Sequence, residues 1–220
     1  PWLEPLSFSL KNCLQLTPVA QSQRAHFNIF KNQFERSLHA GKISSMSGLE
    51  EEKQAIRKRL LAARQETPRP ADFSLFALEL LEATPGLVAS YWSTETEPDT
   101  HKVNEYLRGS GRLVLPAISG SSLVWKIPDR LIPSNFGIMS PVGKTVSIED
   151  IEVVLAPALA VSKDGTRLGK GGGFYDRALE HFSKDAFALV FERELVDLLP
   201  AEDHDRKVQG VLTENGLSRL

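Results

Sequence analysis

The chain has 220 residues, 41% of them hydrophobic and 25% charged, with a formal net charge of −2. That length suits one medium domain, or one domain with an appendage; the near-balanced charge gives no general drive toward nucleic acid or an anionic membrane, and no apolar run approaches the roughly 20 residues of a bilayer span. The single cysteine, Cys13, excludes an intrachain disulfide and fits a reducing, cytoplasmic setting, and no Cys/His cluster has zinc-ligand spacing.

Residues 1–46 read as an N-terminal extension. Its bases (Lys11, Arg24, Lys31, Arg36, Lys42) outnumber its acids (Glu4, Glu35). Three readings stay open: a transit peptide, which would send the chain to mitochondria; a stretch upstream of a true start at Met46; and an ordinary helix with Phe27, Phe30 and Phe34 at helical spacing. The domain is expected over 47–220. Ser47 and Glu50 have capping-box spacing and predict a helix to about Gln65, with Leu49, Ile56, Leu60 and Leu61 inward and Arg59 and Arg64 solvated. Pro68 and Pro70 stop it. A second helix is predicted over 72–83, ended by Pro85-Gly86, then a strand over 87–92 and a helix over 99–108. Strands at 112–118 and 121–127 flank a turn at Ser119-Gly120; Pro128 to Pro141 reads as loop. An apolar strand follows at 151–156, then a helix at 174–182, a strand at 186–191, a short helix at 193–199 and a strand at 208–213. Helices alternating with apolar strands predict a layered α/β domain with a mostly parallel central sheet.

The run Arg167-Leu-Gly-Lys-Gly-Gly-Gly-Phe-Tyr-Asp176 carries the most chemistry. Glycines at 169, 171, 172 and 173 let the backbone turn several N–H groups toward one point, as an anion nest does. Arg167 adds a planar fork suited to phosphate oxygens, and Asp176 a carboxylate of the kind that binds Mg²⁺. The spacing fits neither a P-loop nor a Rossmann fingerprint.

Pro157-Ala-Leu-Ala-Val161 followed by Asp164 to Arg177 closely resembles the signature of the 5-formyltetrahydrofolate cyclo-ligases, also called 5,10-methenyltetrahydrofolate synthetases. The resemblance runs from about Leu49 to the C-terminus. It takes in the basic helix Lys53-Gln-Ala-Ile-Arg57, the segment Glu97-Pro-Asp-Thr100 and the pair His204-Asp205. It implies the family's three-layer α/β fold and its reaction: ATP and 5-formyltetrahydrofolate give 5,10-methenyltetrahydrofolate, ADP and phosphate.

The resemblance also assigns roles. Arg167, Lys170 and Tyr175 are the expected catalytic residues, Arg167 as clamp on the transferring phosphoryl group. ATP is expected against Lys53, Arg57, Arg167, Leu168, Gly169, Lys170, Gly171, Gly172, Gly173, Phe174 and Tyr175. The folate is expected against Arg57, Trp92, Glu97, Phe136, Lys170, Phe174 and Tyr175: a carboxylate accepts from pterin N–H groups, and aromatics stack on the flat ring. Asp176 and Asp205 match positions that hold Mg²⁺. Expected partners are ATP and a reduced folate, polyglutamylated or not, on a monomer that binds neither nucleic acid nor membrane. Trp125 is assigned to the core and His204 to supporting the Asp205 turn. Four positions depart from the family pattern: Ser140, Ser162, Glu194 and Gln209. They keep a second reading open, a catalytically weak paralogue that binds nucleotide or folate as a regulator.

Overall fold

The computed structural model describes residues 46–66, 73–134 and 138–220. The extension, the stop at Pro68 and Pro70, and Phe136 lie outside the described residues. The helices are α1 (Met46–Glu66), α2 (Ser74–Glu82), α3 (His101–Gly109) and α4 (Phe174–Ala178). The strands are β1 (Leu87–Ala89), β2 (Leu113–Ser119), β3 (Ser122–Pro133), β4 (Met139–Val146), β5 (Ile151–Pro157), β6 (Ala160–Ser162), β7 (Arg167–Leu168), β8 (Asp185–Leu189), β9 (Leu195–Val196), β10 (Gly210–Thr213) and β11 (Gly216–Arg219).

One eight-stranded sheet runs β11-β10-β8-β5-β1-β2-β3-β4. Its centre, β10-β8-β5-β1-β2, is parallel throughout, and both edges are antiparallel. Alternate residues of the central strands feed two cores, as a period of two requires. Val88, Val153, Leu155, Phe187 and Leu189 pack with Ala77 and Leu81 of α2 and Val103 and Leu107 of α3. Ala89, Val154, Ala156, Ala186 and Ala188 pack on the opposite face with Trp125 and Leu179, beside Tyr175 and Ala178 of α4. Near-continuous apolar strands are what a sheet covered on both faces needs. A third cluster joins Ile56 and Leu60 of α1 to the small sheet β7-β6-β9 through Leu159, Leu168 and Val196. This is the expected α/β/α class, with Trp125 in the core.

Several expectations need correction. The segment from Pro128 to Pro141 is mostly strand. Pro128 and Pro133 lie where β3 has only β4 as a neighbour, since its pairing with β2 ends at Lys126; Pro128 also sits at a register shift, and Pro141 is on the edge strand. Edge and bulge positions are where a sheet tolerates proline. The helix expected at 193–199 is a single 3₁₀ turn at Glu192–Glu194 leading into β9, and the helix expected at 174–182 stops at Ala178. β1 ends at Ala89, and the chain leaves the sheet before Trp92. The hairpin turn lies at residues 120–121. α1 begins at Met46, so Ser47 lies within its first turn. Arg64 is not solvated: it is 4% exposed and ion-paired to Glu194.

The strand order reverses between β1 and β5, which are neighbours; β2 lies beyond one and β8 beyond the other. Open α/β sheets bind ligands outside the carboxyl ends of the strands at such a point. The segments leaving β1 and β5 there are Ser90–Trp92 and Ala158–Leu159.

Candidate active site

A cavity of about 580 Å³ opens at that point. Tyr91 and Trp92 after β1, Pro157 at the end of β5 and Ala158 just beyond it line the cavity. The glycine loop from Gly169 to Gly173 forms one wall, α1 supplies Lys53 and Arg57, and the segment holding Glu202 and Asp205 closes another side. Leu115, Ile118, Leu123 and Ile138 line the apolar remainder.

The glycine loop follows β7, which pairs antiparallel with β6 and so anchors Arg167 opposite Val161. Gly171 (φ +97°) and Gly173 (φ +63°) hold backbone conformations that an L side chain rarely adopts. A Cβ at Gly171 would also press on the Arg57 guanidinium at 3.3 Å. The loop therefore seats directly on α1, where Arg57 Nε donates to the Gly169 carbonyl (3.1 Å) and Arg57 Nη1 to Glu50 (2.8 Å).

Each cavity cation has a carboxylate partner. Arg167 Nη2 donates to Asp176 (2.7 Å) and Nη1 to the Pro157 carbonyl (3.3 Å), while its buried Nε has no partner among the described residues. Lys53 Nζ bonds Asp205 (2.6 Å) and Glu202 (2.7 Å). Burial works against the Lys53 charge, but Asp205 and Glu202 outweigh it and hold its pKa above the ordinary lysine range. Burial likewise works against Asp205, and Lys53 outweighs it, so the Asp205 pKa is lowered. Lys170 Nζ lies 2.6 Å from Glu97 Oε1. The other Glu97 oxygen accepts from the Thr94 N–H (2.8 Å) and the Thr94 hydroxyl (2.9 Å). Burial pushes the Glu97 pKa up, but Lys170 and Thr94 more than offset it, and the group is held as a carboxylate.

The structure brings together every described residue of the expected site: Lys53, Arg57, Trp92, Glu97, the run from Arg167 to Asp176, and Asp205 all line this cavity. Their contributions differ. The Leu168 side chain belongs to the α1 core, and its carbonyl accepts from the Leu159 N–H (2.7 Å). Phe174 stacks against the Arg177 guanidinium at 5.3 Å, and Trp92 meets the His101 ring edge-on at 4.6 Å. The Tyr175 ring packs on Trp125, with Arg167 5.7 Å from its face. Its hydroxyl is buried without a partner among the described residues, and burial pushes its pKa well up, so it stays a phenol. Asp176 and Asp205, 29 positions apart in the chain, both line the cavity, and the N–H of Arg206, next to Asp205, donates to Asp176 (3.4 Å).

Sequence reasoning missed two contributors. Thr94 stands three positions before Glu97, the Thr-x-x-Glu spacing of a capping box, and that signal was available. Glu202 carries no comparable mark. With His204 and Asp205 it forms a trio whose ligand atoms lie within 4.8 Å of one another. Three of the positions that depart from the family pattern have structural work. Ser162 donates to Asp164 (2.6 Å) and keeps the turn before Arg167 closed, Gln209 accepts from the Ala186 N–H (2.8 Å), and Glu194 neutralises Arg64. Ser140 lines the cavity.

The chain is similar to the 5-formyltetrahydrofolate cyclo-ligase of Escherichia coli K12, with 30% identity over 57% of this chain and 76% of that relative. The enzyme of the same name from Haemophilus influenzae is 28% identical over 66% of this chain and 85% of its own length. That from Mycolicibacterium smegmatis is 44% identical over a shorter stretch, 39% of this chain and about half (47%) of that relative. Among solved structures, the Aquifex aeolicus 5,10-methenyltetrahydrofolate synthetase superposes with a TM-score of 0.64 at 28% identity, over 76% of this chain and 92% of that one. The synthetase from Mycoplasma pneumoniae, at 20% identity, shares the fold with a TM-score of 0.59 over 74% of this chain and 99% of that one. The family model for 5-formyltetrahydrofolate cyclo-ligases matches residues 49–214, and the chain belongs to that family.

Proposed function

We propose that this chain uses ATP to convert 5-formyltetrahydrofolate into 5,10-methenyltetrahydrofolate, ADP and phosphate. The observation that carries the reading is the convergence of the glycine loop, Arg167, Lys170, Lys53 and Arg57 on one cavity that Glu97 and Trp92 also line. The first set suits phosphates and the second suits a pterin.

The chemical difficulty is the formamide oxygen, a poor leaving group. Transfer of the γ-phosphoryl group onto it gives an N5 iminium phosphate and ADP. N10 then attacks the activated carbon, loses its proton and closes the ring, and phosphate departs with the former formyl oxygen. The protein needs to align two substrates and spread negative charge during transfer. Arg167 serves as clamp on the transferring group, with Lys53, Arg57 and Lys170 balancing the remaining phosphate charge. Glu97, fixed by Thr94, accepts from the pterin N–H groups. Trp92 and Phe174 stack on the flat rings, and Phe136 is assigned to the same subsite. Tyr175 keeps the Arg167 guanidinium in place through its ring. The carboxylates of Asp176 and of Asp205, the latter with Glu202 beside it, are hard oxygen donors of the kind that hold Mg²⁺, which would neutralise phosphate charge when bound.

The test is incubation with MgATP and 5-formyltetrahydrofolate. Growth of the methenyl product's near-ultraviolet band, with one ADP per product, supports the reading. Protein that binds both substrates and yields neither ADP nor methenyl product is a binding paralogue instead.

A further inference from the structure

Four cations face the cavity, and they are not held alike. The side chains of Lys53 and Arg167 are each 3% exposed and that of Arg57 11%, whereas Lys170 is 46% exposed. Lys53 is held by two carboxylates, Arg167 by a carboxylate and a carbonyl, and Arg57 likewise. Among the described residues Lys170 makes its ion pair with Glu97 alone, from a loop with glycine on either side. The Glu97 end is fixed: its side chain is 8% exposed and Thr94 donates twice to Oε2. In this pair the carboxylate is fixed and the lysine, on its flexible four-carbon stem, is the part that can move.

The same geometry limits what Glu97 can offer. Two donors fill Oε2, so a flat ligand presenting adjacent N–H groups must use Oε1, which Lys170 already covers. A polyphosphate carries more charge than one carboxylate and competes for that lysine. We propose that Lys170 couples the two substrate sites: it holds Glu97 in the free protein and leaves it for the phosphates of a bound nucleotide, which frees Oε1 and tightens folate binding. This rests on the assignment of phosphates to the glycine loop and of the pterin to Glu97. Such coupling is reciprocal, so the folate tightens nucleotide binding by the same factor.

The experiment is titration of the full chain with 5-formyltetrahydrofolate, followed by tryptophan fluorescence and calorimetry, with and without a non-hydrolysable ATP analogue and Mg²⁺. The analogue is expected to tighten folate binding about tenfold, a typical coupling. Lys170→Met should bind the folate more tightly than wild type when nucleotide is absent, and the analogue should then add nothing. Glu97→Gln gives an independent reading, because it releases Lys170 without touching the loop: the analogue should bind it more tightly than wild type in the absence of folate. Folate affinity that ignores the analogue in wild type, or coupling that survives in Lys170→Met, overturns the coupling and leaves the proposed reaction standing. Absence of folate binding under every condition overturns both.

Discussion

Replacing Arg167 with alanine separates chemistry from folding at this site. The side chain is 3% exposed, and its guanidinium bridges Asp176 and the Pro157 carbonyl. Losing one charged donor to a transferring group costs about 3 kcal/mol, roughly a hundredfold in turnover. The structural cost is smaller. Asp176 is 18% exposed and keeps the Arg206 N–H, so water and that amide compensate part of its charge. That puts the loss of stability at about 1–2 kcal/mol, below the range for a fully buried pair. At about 2–4 °C per kcal/mol, the melting temperature falls by only a few degrees. Arg167→Lys keeps a charge without the planar fork and should recover only part of the rate. The assay is kcat and KM for both substrates from the methenyl band, alongside a melting curve. A fall in kcat with folate KM nearly unchanged is the expected pattern. A folded Arg167→Ala protein with turnover within about twofold of wild type would remove Arg167 from the mechanism. An effect confined to KM would make it a ground-state binder.

Asp176→Asn and Asp205→Asn should each reduce turnover and raise the Mg²⁺ concentration needed for half-maximal rate, with less than additive loss in the double variant if they share one ion; wild-type turnover of Asp205→Asn at limiting Mg²⁺ would leave Asp205 as a partner of Lys53 only. Arg64→Met should cost about 3 kcal/mol or more in denaturant melts, because it leaves Glu194 buried and uncompensated, and adding Glu194→Leu should restore most of it; an unchanged midpoint in the single variant would refute the pair's role. The stability advantage of wild type over Lys53→Met should be fullest between pH 3.8 and 10.5, the ordinary pKa values of Asp and Lys. It should fade as pH falls through the lowered Asp205 pKa and again as pH rises through the raised Lys53 pKa. An advantage that grows below pH 3 in a pH series of melts would contradict that linkage.

The parts of the site that were legible in the sequence are the local ones. Four glycines in five positions, between Arg167 and Asp176, announce a backbone that approaches an anion, and nothing distant is needed to see it. The α/β class was legible because central strands such as Ile151–Ala156 are apolar save for Glu152 and helices alternate with them. The β3–β4 hairpin was hidden because its prolines argue against strand until the edge of the sheet is known. Arg64 was hidden for a related reason: a basic residue near a helix end is ordinarily solvated, and its partner Glu194 is 130 residues away. Lys53 and Arg57 were legible as neighbours on one helix face, but not that Lys53 is buried and Arg57 half-buried. Asp176 and Asp205 could be paired only through family resemblance, since they stand 29 positions apart and neither carries a local signal that points to the other.

The central claim is that this cavity spends ATP on activating the formyl oxygen. The most direct test is turnover of 5-formyltetrahydrofolate carrying heavy oxygen in the formyl group, with mass analysis of the phosphate released. Direct phosphoryl transfer to that oxygen predicts one heavy atom in each phosphate formed and none in ADP. Phosphate without label, with methenyl product still forming, would contradict the claim and require ring closure by a route that expels the oxygen as water.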